Sequence, residues 1–117
     1  MNIEAIRTYC LNKKGTEEAM PFGDDTLVFK VMGKMFALTN LEGELTLNLK
    51  CDPDLALDLR EQYPAVLPGY HMNKQHWNTI VMDGSVSKKQ VCEWIDLSYD
   101  LVVGSLTKKI RDALNGL

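Results

Sequence analysis

Two apolar runs meet at a glycine in Thr26-Leu27-Val28-Phe29-Lys30-Val31-Met32-Gly33-Lys34-Met35-Phe36-Ala37-Leu38, and this segment sets the architecture of the chain. Both runs contain the β-branched and aromatic residues that fit a pleated sheet. Glycine tolerates the positive φ that a tight hairpin turn requires. The segment therefore predicts a β-hairpin with strands at residues 26–31 and 34–38 and its turn at Gly33.

A third strand is predicted after a turn at residues 40–44. Leucines alternate with polar residues in Leu45-Thr46-Leu47-Asn48-Leu49-Lys50. Successive side chains of a strand point to opposite faces of the sheet, so this pattern is typical of an antiparallel strand with one buried face and one wet face. The residues Thr46, Asn48 and Lys50 are expected on the wet face.

Helical patterns lie before and after these three strands. Asn2 can cap a first helix at residues 3–14. Asp52 can cap a short helix that has Pro53 in its first position and reaches about residue 62. We therefore expect one helix on each side of the hairpin and the third strand.

The C-terminal part of the chain predicts a strand and two further helices. Residues 77–82 have strand composition, and Ser87 can cap the longest helix. Gly104 is expected to interrupt that helix and Ser105 to start the last one. The apolar stripe of the long helix is Val91, Trp94, Ile95, Leu101 and Val102, with Ser98 inside it.

The order of elements indicates an α+β protein, in which an antiparallel sheet packs against helices on one face. The chain has 117 residues and is 45% hydrophobic, which suits one core, so we expect a single domain over residues 1–117. No linker, repeat or low-complexity tract interrupts it.

Composition excludes several classes of protein. The formal charge of -3 gives no global attraction to polyanions, so a nucleic-acid partner would need a local basic patch. Cys10, Cys51 and Cys92 are far apart and odd in number, which indicates neither a disulfide framework nor a zinc knuckle. No signal peptide and no run of eighteen apolar residues occurs. We expect a cytoplasmic protein with no membrane partner.

The densest group of binding side chains lies in residues 66–77, where both histidines accompany a Pro-Gly turn and a lysine. His71 and His76 lack further ligands at metal-site spacing, so we expect no metal. No nucleophile motif and no glycine-rich phosphate loop is present. The acidic pairs 17–18 and 24–25 lie in turn-like polar segments and indicate solvated charge rather than acid–base catalysis. We expect no catalytic residue and no cofactor.

Trp77 leaves two interpretations open. A tryptophan at the start of a strand is commonly a buried anchor, and it can alternatively stack on an unpaired base. A set of eight lysines and one arginine lies on or beside the strands and turns and on the last two helices. These cations could together form a phosphate-binding face, or could be ordinary solvated side chains. These residues are Lys30, Lys34, Lys50, Lys74, Lys88, Lys89, Lys108, Lys109 and Arg111.

Several motifs of the chain resemble the MmcQ/YjbR family of small bacterial proteins. They are Pro21-Phe22-Gly23-Asp24, Leu27-Val28-Phe29-Lys30-Val31, Gly33-Lys34-Met35-Phe36-Ala37-Leu38, Leu49-Lys50-Cys51-Asp52-Pro53, Pro68-Gly69-Tyr70-His71-Met72-Asn73-Lys74 and His76-Trp77. The resemblance extends from the first helix to the last. Its most specific element is the Pro-Gly, His, Asn-Lys, His-Trp spacing.

The resemblance implies a CyaY-like, frataxin-like α+β sandwich and a DNA-binding role through a double-wing arrangement. Frataxin-like iron binding would need an acidic ridge on the first helix, where this chain carries Glu4 beside Arg7, Lys13 and Lys14, so iron is not expected. Within the motifs, Pro21, Gly23, Pro68 and Gly69 are expected to shape turns, and Phe22, Phe36 and Trp77 to pack.

The leading hypothesis is a non-enzymatic DNA-binding module and a monomer, with the loop at residues 69–76 and the hairpin at Gly33-Lys34 as its wings. The alternative is a module that binds a protein or a small ligand, with a pocket beside Trp77. The residues expected to contact DNA or a ligand are Lys30, Lys34, Lys50, His71, Asn73, Lys74, His76 and Trp77.

Overall fold

The computed structural model describes residues 1–69 and 72–117, which form four helices and six strands. The helices are α1 (Ile3–Leu11), α2 (Pro53–Gln62), α3 (Lys88–Ser105) and α4 (Lys108–Asn115). The strands are β1 (Thr16–Ala19), β2 (Thr26–Val31), β3 (Lys34–Asn40), β4 (Thr46–Lys50), β5 (Val66–Pro68) and β6 (Trp77–Val81).

The strands form one antiparallel sheet in the order β1-β2-β3-β4-β6-β5. The predicted hairpin is confirmed as β2 and β3, and Val31 pairs with Lys34 across its turn. The two turn residues, Met32 and Gly33, have φ values of 49° and 86°. Positive φ at both positions matches the twist of the flanking strands.

Strand β3 contains a bulge at Phe36. Phe29 pairs with Ala37 and Lys30 with Met35, so Phe36 is an extra residue in β3. Its ring is fully buried and packs edge-on against Tyr99 of α3, with ring centroids 5.3 Å apart. Buried Ser98 of α3 satisfies the backbone here: its hydroxyl donates to the Phe36 carbonyl at 2.5 Å and accepts from the Lys50 N–H at 2.9 Å.

The helices cover one face of the sheet and form the main core with it, which confirms the predicted α+β architecture. Leu47 and Leu49 of β4 face this core, as their alternation with polar residues predicts. Val91, Trp94, Ile95, Ser98 and Val102 of α3 are buried against it. Leu101 was predicted in the same stripe, but 40% of its surface is exposed, because it lies on the outer side of the helix.

Two strands were missed because tertiary pairing, rather than local pattern, forms them. Glu17 and Glu18 lie in β1 and not in a turn; β1 pairs with β2, and Arg7 of α1 binds Glu18 at 2.6 Å. Strand β5 has three residues and is held by its pairing with β6.

Two helix ends also differ from the prediction. Helix α1 stops at Leu11, three residues early. Gly104 lies inside α3, which runs to Ser105, and Thr107 rather than Ser105 caps α4, its hydroxyl accepting from the Ile110 N–H at 3.3 Å. Within residues 1–69 and 72–117, each helix is too short or too polar to cross a bilayer.

Candidate functional site

The face of the sheet that the helices leave uncovered carries the candidate site. Leu38 of β3 pairs with Asn48 of β4, Asn48 with Thr79 of β6, and Thr79 with Leu67 of β5. Paired residues of antiparallel strands point to the same side, so these four form a row across the uncovered face. Its two central side chains, Asn48 and Thr79, can form hydrogen bonds, and a leucine flanks them at each end.

A second, smaller apolar cluster lies on this face. Val28, Leu38 and Trp77 are buried together, and Met35 and Met72 pack against them. Trp77 is only 8% exposed, so its role is that of an anchor. The alternative interpretation, in which Trp77 stacks on a base, is wrong because the ring is already packed by its own chain.

The segment before β6 approaches Trp77 closely. The Gly69 N–H donates to the Trp77 carbonyl at 2.8 Å. A Cβ at Gly69 would lie 2.7 Å from the Trp77 Cβ and 2.8 Å from its carbonyl oxygen, which is closer than a side chain can come. The glycine is therefore required by space. Pro68, which was predicted to shape a turn with it, lies in β5 instead, where it pairs with Asn78.

A groove of about 1080 Å³ runs along the uncovered face. That volume is slightly above the range typical of small-molecule sites, about 300–1,000 Å³. Most of its lining is apolar or uncharged: Phe22, Thr26, Leu38, Thr39, Asn40, Glu44, Thr46, Asn48, Leu67, Pro68, Gly69, Met72, Lys74, Thr79 and Val81.

The polar side chains of the groove differ in how many hydrogen bonds they already form within the protein. The Asn40 amide binds the carbonyls of Glu42 and Glu44 and the backbone N–H of Thr46, so it organises the turn between β3 and β4. The side-chain oxygen of Asn48, Oδ1, accepts from the Thr79 hydroxyl at 2.6 Å. Within the described residues, the NH₂ group of Asn48 makes no hydrogen bond and can donate to a ligand.

A second depression, of about 480 Å³, adjoins the groove. It is lined by Pro21, Phe22, Lys30, Gly33, Lys34, Met35, Lys50, Val102 and Ser105. Three of the predicted lysines, Lys30, Lys34 and Lys50, thus come together, and Phe22 lines both depressions. The fourth, Lys74, lines the groove. We call this second depression the lysine depression.

The charges around the two depressions differ from those of the whole chain. Four lysines and one acid, Glu44, are among the described residues that line the two depressions, whereas the chain has a formal charge of -3. In the part of the chain that the structure describes, none of the four lysines forms an ion pair. The cations that do pair include Arg7, Lys13 and Lys108, which lie on helices or at a helix end.

The helical lysines and Arg111 do not contribute to the lysine depression. Lys88, Lys89, Lys108, Lys109 and Arg111 line neither depression. Lys108 pairs with Asp112 one turn further along α4. Only the strand and loop lysines of the predicted basic set are therefore near the candidate site.

The predicted loop residues are only partly brought into the site. Among described residues, Asn73 and His76 line neither depression; Asn73 accepts from the Gln75 N–H at 2.9 Å and so shapes the turn. Its carbonyl accepts from the N–H groups of His76 and Trp77. His71 lies outside the described residues.

Arg60 of α2 is the residue near the site that the sequence did not reveal. Its Nε donates to Asn78 Oδ1 at 2.7 Å, and its Nη2 donates to the carbonyls of Lys74 and Trp77. Asn78 in turn donates to the Ala56 carbonyl of α2 at 3.3 Å. No local pattern connects α2 to a segment fourteen residues away, so only the tertiary structure identifies Arg60.

Metal and thiol chemistry find little support in this geometry. Within residues 1–69 and 72–117, no three His, Cys, Asp or Glu side chains group as metal ligands. Burial raises the pKa of Cys10 to about 12 and that of Cys51 to about 11. Because the thiolate is the reactive form, both thiols are poor nucleophiles at neutral pH.

Comparison with known proteins gives consistent matches. The YjbR family model matches residues 11–101. The Escherichia coli K12 protein YjbR is 34% identical over 115 residues, which cover 97% of this chain and 98% of that protein. The protein YbdF of Escherichia coli O157:H7 is 37% identical over 107 residues, covering 91% of this chain and 88% of that protein.

Two solved structures show the same fold. The crystal structure of a Deinococcus radiodurans protein with a DUF419 domain has a TM-score of 0.92 and 38% identity, covering 97% of this chain and 88% of that one. The crystal structure of a Pseudomonas syringae protein has a TM-score of 0.76 and 29% identity, covering 86% of this chain and 98% of that one.

Proposed function

The chain belongs to the YjbR family, and from this premise we propose that it is a non-enzymatic DNA-binding module that holds phosphates at the lysine depression and the adjoining groove. The observation that carries the proposal is the gathering of Lys30, Lys34 and Lys50 at one depression, with Lys74 in the adjoining groove. Each ammonium group can neutralise one phosphate and release its counterion.

The separation of charge supports this assignment over a general affinity for polyanions. The acidic balance of the whole chain opposes non-specific binding elsewhere on its surface. The four lysines form no ion pair within the described residues, so binding a phosphate breaks no existing interaction. A strand of DNA would therefore be oriented by one face only.

The test is fluorescence anisotropy of labelled DNA over a salt series. Four phosphate contacts would give a log–log slope of up to about -3.6, since each contributes roughly -0.9 on duplex DNA. Lys50→Ala and Lys30→Ala should each reduce the slope by about 1 and weaken binding to all sequences alike.

Lys89→Ala is the matched control, because Lys89 is exposed on α3 and lines neither depression. It should leave both affinity and slope unchanged. The proposal fails if the folded protein binds no DNA at low salt, or if Lys89→Ala weakens binding as much as Lys50→Ala.

The size and lining of the groove favour a second candidate, a small-ligand site beside Trp77. Met72 lines the groove and packs against Trp77, so a ligand there should change the tryptophan's surroundings. Trp94→Phe leaves Trp77 as the only tryptophan of the chain. A metabolite in the groove should quench its fluorescence saturably and independently of salt. A response that disappears at high salt would count against this candidate.

The proposal also covers the cellular compartment and the oligomeric state of the protein. We propose a cytoplasmic monomer, because its three cysteines are unpaired and DNA is the partner. A protein partner on the same face would compete with DNA for it. Light scattering of the free protein should give the mass of one chain, 13.2 kDa.

A further inference from the structure

We infer that the DNA held on this face is an unpaired strand and that Phe22 stacks on one of its bases; this inference rests on the proposed function. Phe22 is the aromatic residue that departs from its expected role. It was expected to pack like Phe36, yet 59% of its surface is exposed whereas Phe36 is fully buried.

The position of Phe22 connects the two depressions. It lies between Pro21 and Gly23 in the connection from β1 to β2, and its side chain lines both the groove and the lysine depression. Phe22 therefore adjoins both the lysines of the lysine depression and the hydrogen-bonding row that lines the groove. A nucleotide also combines these two chemistries, with a charged phosphate at one end and a flat base at the other.

The groove offers the base both apolar surface and a donor. Leu38, Leu67 and Met72 supply apolar contact. The NH₂ group of Asn48 makes no hydrogen bond within the described residues and can donate to a ring nitrogen or carbonyl of a base. A base that stacks on Phe22 would thus enter a site that contacts its edge as well as its face.

Only an unpaired base can use this site fully. In a duplex the faces of the bases are covered by their neighbours, and proteins reach mainly the edges through the grooves. Aromatic side chains on an open sheet stack instead on splayed bases, and this interaction tolerates any base. The groove, at about 1080 Å³, also has a volume close to that of small-molecule sites.

The test compares three labelled decamers by anisotropy: single-stranded thymidine, a duplex of the same length, and a single strand with abasic sugars. The thymidine strand should bind more tightly than the other two. Phe22→Ala should weaken thymidine binding about 5- to 150-fold, the effect of losing one stacked base. The salt slope should not change, because the lysines remain.

Two variants make the comparison specific. Phe22→Tyr keeps a ring and should bind like the wild type. Met20→Ala removes a neighbouring exposed side chain that lines neither depression and should also bind normally. Phe22 is mostly exposed, so circular dichroism should show that all three variants fold.

The outcomes separate this inference from the proposed function. If the thymidine strand binds and Phe22→Ala has no effect, the stacking role is overturned while phosphate binding stands. If the duplex binds more tightly and Phe22→Ala weakens duplex binding, the ring acts as a wedge between base pairs and the unpaired-strand inference is overturned. If no decamer binds the folded protein at low salt, both proposals fail.

Discussion

Ser98 shows how one buried hydroxyl makes a bulge in the sheet tolerable. The extra residue at Phe36 interrupts the ladder between β3 and its neighbours, which leaves backbone groups of β3 and β4 to be satisfied from outside the sheet. Ser98 serves both, since it donates to one strand and accepts from the other. It also fixes the backbone of Lys50, whose side chain lines the lysine depression.

Ser98→Ala should therefore lower the free energy of unfolding by about 1–3 kcal/mol, the cost of leaving buried polar groups unsatisfied. Urea titration followed by circular dichroism measures it. Ser105→Ala on the same helix is the control, because Ser105 is exposed and, among the residues that the structure describes, its hydroxyl bonds only to Val102 of the same helix. Equal effects of the two substitutions would contradict the role given to Ser98.

Residue type alone predicted some of the candidate site, but not all of it. Lys30, Lys34 and Lys50 were expected at a binding site and line one depression, while their contact with a ligand stays a prediction. Phe22 and Trp77 could not be separated, since both are aromatic residues in turn-rich or strand-start segments. The fold buries one and exposes the other, and burial depends on chain segments far away.

At the scale of elements, α2 and β6 hold the loop that precedes β6. The Arg60 guanidinium donates in three directions, to the Asn78 side chain and to the carbonyls of Lys74 and Trp77. Its planar fork is suited to several fixed acceptors at once, whereas an ammonium group on a flexible stem is not.

Arg60→Lys should loosen this connection despite keeping the charge. We expect a loss of about 1–3 kcal/mol in the free energy of unfolding, by analogy with hydrogen bonds to charged groups. Hydrogen exchange of the Trp77 amide, which donates to the Asn73 carbonyl at 3.0 Å, should become faster. Arg111→Lys, on α4, provides the control. Unchanged Trp77 exchange in Arg60→Lys would rule out the anchoring role.

Local signals explain which elements the sequence predicted. The hairpin, β4 and α2 each carry a complete local pattern, such as the Asp52 side chain accepting from the N–H groups of Asp54 and Leu55. Strand β1 carries Glu17 and Glu18, which suggest a solvated segment until β2 pairs with them. Strand β5 is too short for a periodicity to appear.

The stability of the whole molecule should depend on pH through the contact between α1 and α3. The Tyr9 hydroxyl donates to Asp96 at 2.8 Å, and this bond raises the pKa of Tyr9 to about 12. Burial raises the pKa of Cys10 to about 12, although Lys13 nearby opposes that rise. Both groups are therefore held in their protonated forms by folding.

Raised pKa values place the loss of stability on the alkaline side. The contributions of Cys10 and Tyr9 are fully present below their ordinary pKa values, 9 and 10, and are lost as the pH rises through about 12. The urea concentration at the midpoint of unfolding should fall steadily between pH 9 and pH 12. Cys10→Ala and Tyr9→Phe should each flatten that fall, and a midpoint constant over this range in the wild type would contradict the assignment.

The two edges of the sheet have a consequence for how copies of this chain meet at high concentration. The unpaired backbone groups of an edge strand are a template on which one molecule extends the sheet of another. However, β1 presents two exposed carboxylates, and β5 is three residues long and ends in a proline that has no N–H to donate. Concentrated samples should therefore resist fibril growth, because neither edge offers a long, uncharged template for a further strand.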